Sequence, residues 1–71
     1  MVEGVLEIRE RCGLSDLELG TLAGVAYRTA REMRLTRQPP KTKGAQRRLQ
    51  AFLIKNAAAR TAGELRFAGA P

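Results

Sequence analysis

The sequence contains no histidine and a single cysteine, Cys12, among its 71 residues. One cysteine excludes an intramolecular disulfide, and the lack of histidine excludes a Cys/His zinc site. A domain of this length buries only about 60% of the surface of its unfolded chain. Domains this small usually gain stability from disulfides, a metal or a partner subunit. We therefore expect one domain that forms a homodimer and needs neither a metal nor another cofactor.

Long apolar runs are also missing. No run approaches the roughly 18 residues that a membrane-spanning helix needs. Three glutamates, Glu3, Glu7 and Glu10, lie near the N-terminus, where a secretory signal would carry positive charge. The sequence therefore predicts a soluble cytoplasmic protein without a membrane partner.

Acidic residues are scarce in the C-terminal part of the chain. Residues 1–26 contain two arginines against five acidic residues, whereas residues 27–71 contain eleven Lys or Arg against two acidic residues. Such segregation fits a surface that binds a polyanion, and a solvated basic surface would give the same composition. The choice between the two depends on where the arginines lie.

Apolar residues recur every three or four positions, which predicts an all-α bundle of four to five short helices. The first helix spans Val2 to Cys12, with Val5, Ile8 and Cys12 on one apolar face. Gly13 suits the left-handed position that follows a helix. The segment Ser15 to Glu18 has the sequence of a capping box and begins a second helix, which runs to about Ala23.

A third helix is predicted from about Tyr27 to Leu35. Two adjacent prolines, Pro39 and Pro40, forbid a continuous helix beyond it. The last helix is expected from about Ala45 to Ala59 or slightly beyond, with an apolar face. That face comprises Leu49, Phe52, Leu53, Ala57 and Ala58. These boundaries predict a domain over residues 1–62 and a tail, arm or dimerisation segment over residues 63–71.

A glycine turn joins the second and third predicted helices. Gly20 leaves room for the third helix to cross closely, and Gly24 permits the positive φ of a sharp turn. Val25 would fill the corner, while Ala30 and Met33 would anchor the third helix from behind. Two short helices joined in this way are the sequence signature of a helix-turn-helix.

The stretch from Leu14 to Ala30, LSDLELGTLAGVAYRTA, resembles the helix-turn-helix of phage Cro and repressor proteins. The resemblance covers roughly residues 5–54 and implies a DNA-binding domain whose third helix enters the major groove. Similar proteins usually carry alanine where Gly20 stands and serine or threonine where Ala26 stands. The second helix here therefore has a lower helix propensity, and the third lacks a side-chain N-cap.

A third departure concerns charge. Many similar proteins carry a glutamate where Arg34 stands, which can pair with the arginine that matches Arg9. In this chain the two positions have like charges, so that bridge is not expected and Arg34 is predicted to face nucleic acid.

The resemblance implies that the start and outer face of the third helix read bases. The matching positions are Ala26, Tyr27, Arg28, Arg31 and Glu32. Arginine can donate two hydrogen bonds to guanine, while Glu32 either accepts one from cytosine or orients Arg28 or Arg31. The predicted phosphate contacts are Thr29, Arg34, Arg37, Lys41 and Lys43. Thr29 fits support of the helix equally well, and for the basic loop, together with Arg47 and Arg48, a solvated cluster is an equal alternative.

Apolar residues beyond those that one domain needs predict the dimer interface. They are Ile54, Ala58, Leu65 and Phe67. Exposed apolar surface usually marks a partner site. The alternative is that Leu65 and Phe67 fold back on their own domain.

Together these observations predict a transcriptional regulator, most simply a phage or mobile-element repressor that binds an inverted-repeat operator as a homodimer. Catalytic residues and a small-molecule ligand are not expected, because no nucleophile–base pair or phosphate-binding glycine loop is recognisable. Two alternatives remain open. One is a protein-interaction module, such as an antiactivator or antitoxin, on the same frame. The other is an excisionase-like protein that bends DNA.

Overall fold

The computed structural model describes residues 1–59. It contains four helices, α1 (Val2–Cys12), α2 (Asp16–Ala23), α3 (Tyr27–Thr36) and α4 (Lys43–Lys55), and no strand within these residues. The predicted all-α fold is confirmed. The predicted tail, with Leu65 and Phe67, and the boundary at residue 62 lie outside the described part of the chain.

Glycine ends the first two helices, as predicted. Gly13 has φ 64° and Gly24 has φ 79°, both in the left-handed region that side chains with a Cβ rarely adopt. The amide of Gly24 donates to the carbonyl of Gly20 at 2.9 Å. The chain therefore reverses sharply at both places, and α3 begins only three residues after Gly24.

The capping box at the start of α2 is also confirmed. The Glu18 amide donates to Oγ of Ser15 at 3.0 Å, and the Ser15 amide donates to Oε1 of Glu18 at 2.9 Å. The hydrogen bond from the Ser15 amide holds the pKa of Glu18 below its usual value. Two amides that the helix itself leaves without partners are thus satisfied.

All four helices contribute to one core. Its buried apolar residues are Val5, Leu6, Ile8, Leu19, Ala23, Ala30, Met33, Leu49, Phe52 and Ala59. The predicted anchors of α3, Ala30 and Met33, are fully buried. α3 therefore packs with one side against the domain and leaves the opposite side exposed.

The bounds predicted for the last helix are wrong at both ends. α4 begins at Lys43 because the Thr42 side chain accepts a hydrogen bond from the Ala45 amide and caps the helix. It ends at Lys55, because Asn56 departs from helical geometry with φ −112° and ψ 25°. The buried side chain of Asn56 also donates through Nδ2 to the Phe52 carbonyl. The early end leaves Ala57 and Ala58 exposed, although both were predicted on the apolar face.

Gly20 is the point of closest approach between α2 and the turn that leads into α3. A Cβ placed on Gly20 would lie 2.8 Å from the carbonyl oxygen of Val25, a backbone atom. Real Cβ atoms essentially never come this close to another heavy atom. A methyl group at this position would therefore force α2 and the turn to move apart.

We expect Gly20→Ala to lower the free energy of unfolding by about 1–3 kcal/mol, since the cost of overpacking exceeds the gain in helix propensity of about 1 kcal/mol. Gly44→Ala is the matched control, because a Cβ at Gly44 meets nothing within 4 Å. It should stabilise the protein. Urea unfolding of both variants measures the difference, and equal stabilisation by both would contradict the close approach.

Candidate nucleic-acid interface

The outer side of α3 carries the side chains predicted to read bases. Arg28, Arg31 and Glu32 are exposed, and Tyr27 at the start of the helix is half exposed. Within residues 1–59 the side chains of Arg28, Arg31 and Glu32 make no hydrogen bond or ion pair. Their charged groups are thus presented outward from a helix whose rear is fixed in the core.

The first turn of α3 has no side-chain cap. Its N-cap residue is Ala26, and no side chain accepts a hydrogen bond from the amides that follow. Such amides point out of the helix start and suit an anionic partner. Thr29 in the same turn is half-buried, which fits either of the roles predicted for it.

Arg34 forms an ion pair within the domain that the sequence analysis did not predict. Its Nε–H donates to Oδ1 of Asp16 at 2.8 Å, and its Nη2 donates to Oδ2 at 2.8 Å. Nε of Arg9 lies 3.4 Å from the same Oδ1. The like charges of Arg9 and Arg34 are compatible because a carboxylate from α2 lies between them. Arg34, which was predicted to contact a phosphate, therefore links the end of α3 to the start of α2.

This ion cluster keeps Asp16 charged although its side chain is only 9% exposed. The hydrogen bonds from Arg34 lower the pKa of Asp16, and the charges of Arg34 and Arg9 lower it further, against the opposing effect of burial. Asp16 raises the pKa of Arg34 in return. Bidentate arginine–carboxylate pairs fix the orientation of the two groups as well as the distance between them. The cluster thus sets how α3 lies on α2.

Arg37, which follows α3, has an unusual backbone conformation. Its φ is 61°, and within residues 1–59 it is the only residue other than glycine with a positive φ. Its amide donates to the Met33 carbonyl at 2.9 Å and closes the helix. A left-handed residue with a Cβ costs about 1–2 kcal/mol, so glycine is the favoured residue at such a position. The exposed arginine side chain is present despite that cost.

The connection after α3 brings two of the predicted sets together. Arg31 and Glu32 line one groove together with Lys41 from the connection. Nε2 of Gln46 donates to the carbonyl of Pro40 at 2.6 Å and holds this connection against α4. A predicted phosphate contact therefore lies beside two predicted base readers.

Lys43 lies in different surroundings. It lines a shallow groove on the outer face of α4 with Arg47, and with Ile54 from the predicted dimer interface. Ile54 is 68% exposed, and Ala58 is exposed in the turn after α4. These two members of the predicted dimer interface are accessible to a partner.

Sequence analysis missed the position of Arg48. Its Nη1 donates to the carbonyl of Gly24 at 2.9 Å and links α4 to the turn of the helix-turn-helix. The sequence places Arg48 only in a basic cluster near the start of the last helix. Nothing in the spacing of that cluster indicates that this arginine reaches a backbone carbonyl 24 residues earlier.

Comparisons of the chain with models of protein families, with curated proteins and with solved structures found no match. Within residues 1–59 no three side chains are grouped in a way that could hold a metal ion. The helices of the same segment are too short or too polar to cross a membrane.

We expect Asp16→Asn to lower the free energy of unfolding by about 2 kcal/mol at neutral pH, because hydrogen bonds to a charged partner are lost. The pKa of Asp16 is lower in the folded protein, so its contribution is complete above about pH 4. It is lost as the pH falls through the folded pKa. The difference in unfolding free energy between the wild type and Asp16→Asn should therefore become smaller at acidic pH. Urea unfolding as a function of pH tests this, with Glu10→Gln on the exposed side of α1 as control. A deficit that does not change with pH would contradict a charged Asp16.

Arg37→Gly should raise the free energy of unfolding by up to about 1 kcal/mol. Relief of the left-handed conformation outweighs the larger entropy of glycine in the unfolded chain. Thermal unfolding measures the shift. Arg31→Gly, within α3, is the control and should destabilise by about 1 kcal/mol. Loss of stability in Arg37→Gly would show that the side chain itself stabilises the fold.

Proposed function

We propose that the protein is a sequence-specific regulator of transcription that binds double-stranded DNA by placing α3 in the major groove. The observation that carries this proposal is the exposed pair Arg28 and Arg31 on a helix anchored from behind by Ala30 and Met33. Arginine side chains in the major groove recognise guanine through two hydrogen bonds.

Fixed geometry supports base recognition rather than general attraction to a polyanion. The turn at Gly24, the contact of Gly20 with Val25 and the Asp16–Arg34 pair hold α3 in one orientation. A helix held in this way presents its side chains at defined positions along a groove. A solvated basic surface would need none of these constraints.

Cationic side chains around α3 would contact the DNA phosphates, and such contacts position a protein on DNA without reading its sequence. Arg37 follows directly after α3, Lys41 lies in the connection to α4, and both are exposed. Glycine would adopt the left-handed conformation of Arg37 at a lower cost, so a contact between its side chain and a phosphate would account for an arginine at this position.

The proposed assembly is a homodimer on an inverted-repeat operator. Two copies related by a twofold axis would place their α3 helices about 34 Å apart, one turn of DNA. Ile54 and Ala58 are our candidates for the interface. Repression by steric exclusion needs no additional surface, and the resemblance to phage regulators favours a phage or mobile element as the source and the cytoplasm as the place of action.

A protein-interaction module on the same frame is the second candidate. Three exposed apolar side chains favour it, because exposed apolar surface usually marks a protein partner. They are Leu17, Leu35 and Ile54, at 61%, 56% and 68% exposure. This candidate predicts weak, sequence-independent binding to DNA.

Selection of bound duplexes from a random library, followed by affinity measurements, tests the proposal. We expect Arg28→Ala and Arg31→Ala to lower affinity for the selected site by about 1–3 kcal/mol each and to relax preference at single positions. Arg11→Ala on α1 removes the same charge elsewhere and should change affinity little. Equal losses on selected and random duplexes would contradict base recognition, and no enrichment of any sequence would contradict the proposed function.

Salt dependence separates the phosphate contacts. Arg37→Gly should lower affinity for all duplexes alike and reduce the slope of log affinity against log salt by about 1, because one phosphate is no longer neutralised. Since the same variant is expected to be more stable, the loss cannot come from unfolding. An unchanged slope would remove Arg37 from the interface.

A further inference from the structure

Glu32 is the only acidic residue between Leu19 and Ala59, a segment that contains nine Lys or Arg. It lies on the exposed side of α3, one helical turn after Arg28 and directly after Arg31. A single carboxylate therefore stands within the face that we propose to meet a polyanion.

The fold of residues 1–59 does not account for this carboxylate. Its oxygens accept no hydrogen bond there, and it forms no ion pair within 4 Å, even with Arg28 at the neighbouring position on the helix. Glu32 lies in the middle of α3, away from the helix start where a negative charge would be stabilised. Glutamine or lysine would have nearly the same helix propensity.

A carboxylate at this position opposes binding to phosphates, because like charges repel and the group loses water in the interface. Affinity for DNA in general would thus be higher without it. In the major groove, however, a carboxylate can accept a hydrogen bond from the N4 amino group of cytosine. Only a site that offers such a donor compensates for the loss of water.

We propose that Glu32 is a specificity-determining residue, which accepts a hydrogen bond from a cytosine in the preferred site and weakens binding to every duplex that lacks it there. This inference rests on the proposed function. It gives Glu32 a role opposite to that of Arg37, which we expect to raise affinity for all duplexes equally.

The test compares wild type with Glu32→Gln, which keeps the shape and removes the charge, on the selected duplex and on random duplexes. We expect the variant to bind random duplexes several-fold more tightly. We also expect its preference at one C·G position of the selected site to fall about tenfold, the equivalent of 1.4 kcal/mol. Glu10→Gln, which removes an exposed carboxylate from α1, should change neither quantity.

A double-mutant cycle between Glu32→Gln and each base change locates the contact. Coupling confined to one cytosine supports the inference. Coupling to guanines together with non-additivity with Arg28→Ala or Arg31→Ala would show that Glu32 only orients an arginine, and would overturn it. Unchanged preference at every position would overturn it too. If the wild type enriches no sequence, the proposed function itself fails, whereas the preceding two outcomes leave DNA binding intact.

Discussion

The crossing of α2 and α3 is the constraint on which the remainder of the structure depends. At one end Gly24 reverses the chain, and the absence of a side chain at Gly20 lets the Val25 carbonyl approach α2. At the other end Nε and Nη2 of Arg34 donate hydrogen bonds to the two carboxylate oxygens of Asp16. Because the two helices are joined at both ends, the backbone fixes the direction of every Cα–Cβ bond on the outer face of α3. The exposed arginines thus become geometrically defined groups.

The arginines divide into two classes that composition does not distinguish. Arg34 and Arg48 have acceptors within the domain, a carboxylate and a backbone carbonyl, and they stabilise the helix arrangement. Arg28, Arg31 and Arg37 are exposed and have no such acceptor among residues 1–59. The net charge therefore overestimates the number of arginines that are available to a partner. Only the exposed arginines without an internal acceptor are relevant to binding.

Local chemistry made much of the fold predictable. The capping box from Ser15 to Glu18 and the left-handed glycines at positions 13 and 24 depend on neighbours within a few residues, and all three were predicted correctly. The end of α4 was not, because it lies where the backbone of Asn56, a residue whose side chain is buried in the fold, departs from helical geometry. The candidate site followed the same division: exposure of Arg28 and Arg31 follows from helical periodicity, whereas the partner of Arg34 does not.

The sequence by itself determined the presence and order of the helices, the capping box of α2, the corner at Gly24 and the outward side of α3, because each depends on residue spacing and on contacts close along the chain. Only the tertiary structure decided that Asp16 lies between Arg9 and Arg34 and that Arg48 reaches the corner. The ion cluster and the Arg48 contact join residues up to 24 positions apart. Which charges pair depends on how the helices cross, and that crossing angle is not encoded in the spacing of any one helix.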